Sequence, residues 1–277
     1  MKKSQITVYL YDEPKSTRLD TKSIKNYLEE KTSLKVRLRP AIFDFFVSSR
    51  KPGERELEKW AQKLAQTKIR DVSRVSSLAP LKGEIEYEIR RLLDHSIKSF
   101  GLLYDGFPLV SLFFNLLPEE EQNGRFIHII FTNQLIGTWD KVSARYHARV
   151  AVLSFPSIIS TTGVVEAPAK PKEYYWLKQQ VLSLGFDPET LEDFKKARNN
   201  ELLEHEDQRL TEVLKGYALQ AILHHFEDEP FCKDQNCRLF NAHWQKEVIR
   251  AQLEGEYELC PEHEKFFQDL KELRWQG

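Results

Sequence analysis

Three cysteines, all in the last fifth of the chain, limit most tightly what this sequence can fold into. Cys232 and Cys237 form C-x4-C, and after 22 further residues Cys260 and His263 form C-x2-H. Two close pairs of soft ligands on either side of a helix-length spacer fit a tetrahedral zinc site. Four protein ligands leave no open coordination position, so the expected role is structural: one zinc ion held by Cys232, Cys237, Cys260 and His263. Residues 228–237 are polar and turn-rich, the setting of a metal knuckle, whereas a free thiol that packs as a small hydrophobe sits in an apolar run. A disulfide between Cys232 and Cys237 is the alternative. Nothing in the sequence points to the oxidising compartment that would sustain it.

The 41 basic and 42 acidic side chains leave a net charge of −1, so no overall field draws the chain to nucleic acid or to a membrane surface. Residues 1–5 lead into a β-like run without the apolar stretch of a signal peptide. The longest apolar run, near residues 107–117, falls short of the ~20 residues that span a bilayer. A cytoplasmic protein with no membrane partner is expected.

Residues 6–11 are β-branched and aromatic and read as a strand. Ile24, Tyr27 and Leu28 then fall at helical spacing behind Thr21 as N-cap, and residues 34–38 alternate as a second strand, which makes a parallel β-α-β unit. Amphipathic helices are expected at 53–69, with Leu57, Trp60, Leu64 and Ile69 inward, and at 85–95. Residues 126–131 read as a doubly buried central strand, with 149–153 as its neighbour and 154–175 as an irregular connection. Helices follow at 207–226, with one apolar face, at 241–253 and at 262–273. The layout is α+β (mixed α/β): an N-terminal part, 1–120, and a second part, 121–277, of one globular unit.

A helix ending in His224-His225-Phe226 that runs within a few residues into C-x4-C, closed by a later C-x2-H, resembles the archaemetzincins. It is similar more closely still to archaeal proteins grouped with metallopeptidases. The strand segments 129–135 and 148–154 belong to the same likeness, which covers roughly residues 125–273. The resemblance implies a metzincin-like twisted mixed sheet with packed helices and a C-terminal zinc knuckle. Cys232, Cys237 and Cys260 fall on family cysteines, and His263 replaces a fourth, a conservative change for zinc. The family's catalytic helix carries H-E-x-x-H-x-x-G-x-x-H directly before the first cysteine. Counted back from Cys232, its first His falls on Ala221, its Glu on Ile222, its second His on His225, its Gly on Asp228 and its third His on Phe231. No H-E-x-x-H stands elsewhere, and Leu239 occupies the place of the turn methionine.

Without two imidazoles one helical turn apart and a Glu beside them, neither the metal nor the base of a zinc peptidase is supplied. The expectation is a zinc-stabilised protein with a degenerate catalytic motif that grips an extended peptide or protein. The alternative is a hydrolase with a relocated metal at His224 or His225, with Glu227 beside them and His128, His147 or His243 as further ligands. A third reading, a zinc knuckle that contacts nucleic acid, would use Lys170, Lys172 and Lys178 beside Tyr174, Tyr175 and Trp176. Amphipathic helix packing explains those residues as well. The cluster Ser160-Thr161-Thr162-Gly163 lacks the G-x-S-x-G elbow and is expected as a polar loop at the sheet edge.

Overall fold

The computed structural model describes residues 6–14, 18–75, 78–94, 101–184, 187–198 and 201–275. The chain opens with strand β1 (Thr7–Tyr11), helix α1 (Thr21–Thr32) and strand β2 (Lys35–Arg39), and β1 pairs with β2 in parallel. Thr21 is not the cap of α1. Asp20 is, its carboxylate accepting the Ser23 N–H at 3.0 Å, as the stronger N-cap residue of the two. The next elements are α2 (Ile42–Arg50), α3 (Glu54–Gln66), β3 (Lys68–Ile69), α4 (Lys82–Leu93), β4 (Leu103–Asp105) and α5 (Gly106–Phe114). The helix expected to reach Ile69 therefore stops earlier, and Ile69 lies in β3. Trp60 and Leu64 point inward as expected. His95, the last residue of the helix expected at 85–95, lies outside the described residues.

A 3-10 turn (Glu119–Glu121) leads to β5 (Phe126–Thr132), β6 (Leu135–Asp140), β7 (Arg145–Arg149), β8 (Ala151–Val152) and β9 (Ser157–Ser160). Helices α6 (Thr161–Glu166), α7 (Lys172–Leu184), α8 (Pro188–Ala197) and α9 (Leu210–Phe226) follow. Then come α10 (Gln245–Ile249), which continues into a π-helical turn (Arg250–Glu254), and α11 (Pro261–Trp275). The main sheet has the order β2-β1-β5-β9-β8. All its pairs are parallel except β8 with β9. A second sheet has the order β3-β4-β6-β7. The fold is α+β with mixed sheets.

β5 is the central strand that its apolar run required. Its neighbour is β9, not residues 149–153, which divide between the end of β7 and the outer strand β8. The stretch 154–175 is not irregular: it contains β9, α6 and the start of α7. Ser160 ends an inner strand and caps α6 through its hydroxyl, which accepts the Gly163 N–H at 2.8 Å, so the Ser-Thr cluster is not a loop at the sheet edge.

The main sheet separates two hydrophobic clusters, as alternating side chains demand. One holds Val8, Leu10, Ile129 and Phe131 with α1, α9 and the three cysteines. The other holds Tyr9, Tyr11 and Ile130 with α2, α3 and α5. Helix α9 does not show one apolar face. It is buried on all sides from Gly216 to Leu223, as a helix in the middle of a layer must be. Among the described residues no helix is long and apolar enough to cross a membrane.

Candidate metal centre

The four residues of the C-x4-C and C-x2-H pairs come together. One ligand atom from each of Cys232, Cys237, Cys260 and His263 lies within 4.8 Å of the others. The knuckle that aims the first two is built from backbone. The Cys237 N–H bonds the Asp234 carbonyl at 3.1 Å, and the Phe240 N–H bonds the Cys237 carbonyl at 2.9 Å. The Asp234 N–H points at the Cys232 sulfur at 3.3 Å, and Asp234 accepts the Asn236 N–H at 3.0 Å and the Tyr257 hydroxyl. The second pair is placed by a helix start. Pro261 opens α11, where its missing N–H is harmless, and the first turn brings His263 back over Cys260.

The three cysteines are free thiols, so the alternative disulfide between Cys232 and Cys237 is not formed. Cys232 Sγ stands 3.8 Å from Cys260 Sγ, which matches the edge of about 3.8 Å in a tetrahedron with zinc–sulfur bonds near 2.3 Å. His263 Nδ1 lies 3.0 Å from Cys260 Sγ and 3.8 Å from Cys237 Sγ, on either side of a zinc-site sulfur–nitrogen edge of about 3.5 Å. Burial pushes the Cys237 thiol up to about 12 and also raises the Cys232 thiol; it lowers His263. A bound dication would reverse the burial effect on the thiols. The donor set, the spacing and the closed geometry fit a zinc ion.

Arg238, which the sequence reading missed, ties this knuckle to the rest of the fold. It is 9% exposed. Its guanidinium bonds Glu212 of α9 at 2.6 Å and the Gln252 carbonyl of the π-helical turn at 3.2 Å. Gln252 answers with a bond from its amide to the Arg238 carbonyl at 2.7 Å. Glu258 adds an ion pair with Lys31 of α1. The only sequence signal was an arginine between a cysteine and a leucine, and its partners lie 14 to 26 residues away.

The other candidates do not converge. Ala221 and Ile222 are 2% and 0% exposed in the apolar core. The His225 Nε2–H donates to the Gly124 carbonyl at 3.0 Å. The neighbouring His224 has its Nδ1 buried with no hydrogen-bond partner, while Glu227 and Asp228 are exposed. His128 is buried against Tyr11 and the Glu121 carbonyl, His147 sits beside Ser143 and Asp140, and His243 is exposed. Among the described residues, none of these joins His224 or His225 in a group that could share a metal. Lys170 is 6% exposed and donates to the Val165 carbonyl at 2.6 Å, so it presents no charge to a phosphate backbone.

A comparison with curated proteins finds no match. Among solved structures the chain is similar to archaemetzincin (amzA) from Methanopyrus kandleri, with 11% identity, a TM-score of 0.45 and 98% of each chain covered. A family model matches residues 4–270, nearly the whole chain, and on that match the protein belongs to the Probable metallopeptidase family (DUF6775).

Proposed function

We propose that this chain is a zinc-stabilised, non-hydrolytic member of its family that binds an extended peptide or protein segment. The observation that carries the reading is the contrast between its two candidate centres. The Cys3His group is gathered and closed. The positions on α9 that would supply a peptidase's ligand and base are Ala221 and Ile222, both packed in the core. Cys232, Cys237, Cys260 and His263 would hold the zinc, which cross-links the knuckle to α11 and leaves no open position for substrate. The outer strand β8 supports the binding role. It is the last strand of the main sheet, the position at which an extended peptide adds by backbone pairing.

Metal analysis of the purified full chain with a peptidase assay tests this. The expected result is one zinc per chain and no cleavage of an unstructured peptide. Cys260→Ser should release the zinc and cost several kcal/mol of stability, because structural zinc binding is part of folding. Two metals per chain together with chelator-sensitive cleavage would overturn the reading. A second reading, hydrolysis at a metal held by His224, rests on the buried Nδ1 that lacks a partner, and that same result would favour it.

A further inference from the structure

We propose that the cleft between Trp244 and the end of α8 binds an aromatic ring that carries a single carboxylate. The cleft holds about 310 Å³ of open space, within the range from about 300 Å³ upward in which small-molecule sites fall. Ala169, Pro171 and Trp244 form its apolar side, and Arg198, Glu201 and Lys246 form its polar side. It shares no lining residue with the metal centre or with β8.

The apolar side is set by the backbone. Ala169 and Trp244, far apart in sequence, pair as an isolated parallel bridge. The Ala169 N–H donates to the His243 carbonyl at 2.8 Å, and the Gln245 N–H donates to the Ala169 carbonyl at 2.9 Å. Extended partners point their side chains to one side, and the next residue on each segment points to the other. Lys170 and Gln245 take the inner side. They are 6% and 1% exposed, and both donate to the Val165 carbonyl, at 2.6 and 2.9 Å. Trp244 is thereby left on the outer side, where its side chain stays 41% exposed in the cleft. The Glu247 carboxylate accepts the His243 and Trp244 N–H groups at 2.8 and 3.0 Å, which fixes the backbone that carries the indole.

An indole attracts either a cation or a second ring, and the polar side decides between them. Arg198 is positioned by the Phe194 ring, whose centroid lies 5.0 Å from the guanidinium carbon, and by Glu201 at 3.0 Å. Both members of that ion pair are more than a third exposed, so the pair is weak, and it uses only one of the guanidinium's N–H donors. Lys246 is exposed and, among the described residues, paired with no acid. Glu247, the acid next to it, is engaged by the two backbone N–H groups. Two cations and one acid thus line the cleft. That surplus repels a cation and matches a single negative charge, whereas a phosphate ester with two charges exceeds it. A ring beside the indole with one carboxylate towards Lys246 and Arg198 satisfies both sides.

Phenylacetate, phenylacetamide and butyrate, titrated separately into the full chain and followed by backbone amide and indole N–H shifts, test the proposal. Phenylacetate should bind saturably, with the shifts centred on Ala169 and residues 244–246. Phenylacetamide keeps the ring and loses the charge, and should bind about fivefold more weakly, the worth of exposed ion pairs. Butyrate keeps the charge and loses the ring, and should bind at least about tenfold more weakly. Trp244→Leu should weaken phenylacetate about tenfold. Lys246→Gln, at an exposed position, should weaken it about threefold while the melting temperature of the free protein stays unchanged. Competition by the dipeptide Ala-Phe but not by its C-terminal amide would identify the occupant as a peptide chain end, and competition by neither would identify a free aromatic acid. Equal binding of acid and amide, no saturation by phenylacetate, or phenylacetate binding unchanged in Lys246→Gln or in a folded Trp244→Leu would overturn the proposal.

Discussion

His128 shows how one residue can be read from sequence in the right place and the wrong role. It lies in the central strand β5 at 1% exposure, stacked on Tyr9 with ring centroids 5.3 Å apart. Its Nε2–H donates to the Glu121 carbonyl at 3.3 Å, and its Nδ1 accepts the Tyr11 hydroxyl at 3.2 Å. Both ring nitrogens are therefore occupied by a neutral imidazole, which leaves none for the metal it was a candidate to hold. Burial lowers its pKa from 6.5 to about 4, although the Glu121 carboxylate pulls the other way. A histidine whose folded pKa lies below its unfolded value destabilises the fold as it is forced to take up a proton. Its stabilising contribution is complete above pH 6.5, falls as the pH drops towards 4, and changes no further below that. Urea melts should show a loss of about 2 kcal/mol between pH 7 and pH 5 from this residue alone. His128→Gln should be less stable at pH 7 yet lose that much less on acidification. An identical pH slope in the variant would show that other groups cause it.

At the scale of elements, α9 and the π-helical turn after α10 meet closely at a glycine. A methyl group at Gly216 would stand 1.9 Å from Gln252 Oε1 and 2.7 Å from Arg238 Cγ. Alanine is favoured over glycine inside a helix by up to about 1 kcal/mol, so Gly216→Ala sets propensity against packing. Gln252 is 2% exposed and its amide nitrogen is bonded to the Arg238 carbonyl, so its Oε1 turns aside only at the expense of that bond. Overpacking should win, with a net loss of about 1–3 kcal/mol in denaturant melts; a gain in stability would mean that the π turn can move aside. Nothing in the sequence announces this contact, and the limits of the sequence reading follow the same logic. The knuckle was legible because both ligand pairs are local along the chain. The β1-α1-β2 unit was legible because its periods are long enough to count. The second sheet was not, since β3 has two residues and β4 three, too few to carry an alternation. Helix α9 was found, but its burial pattern was misread, because a helix enclosed on all sides carries no stripe. Arg238 was missed because a buried polar side chain is defined by partners that only the fold brings near.

For the whole molecule, the decisive arrangement is that the metal centre belongs to one of the two hydrophobic clusters and not to the other. Cys232, Cys237 and Cys260 pack with Ile24, Tyr27 and Leu28 of α1 and with Val213 to Leu223 of α9. Polar ties reinforce this, since Arg238 bonds Glu212 of α9 and Glu258 pairs with Lys31 of α1. Across the main sheet, α2, α3 and α5 pack on Tyr9, Tyr11 and Ile130 without touching the knuckle. Loss of the metal should therefore travel along packing and ignore sequence distance. Local stability varies by cooperative unit, and hydrogen exchange with and without a chelator reads those units. Chelation should speed exchange in residues 232–263 and α11, and also in α1, some two hundred residues upstream, while α3 and α5 keep their protection. Faster exchange confined to the knuckle would show that the sulfur cluster is an appendage. Equal loosening on both faces of the sheet would show a single cooperative core, and either outcome would separate the closed metal centre from the α1–α9 layer on which its stabilising role depends.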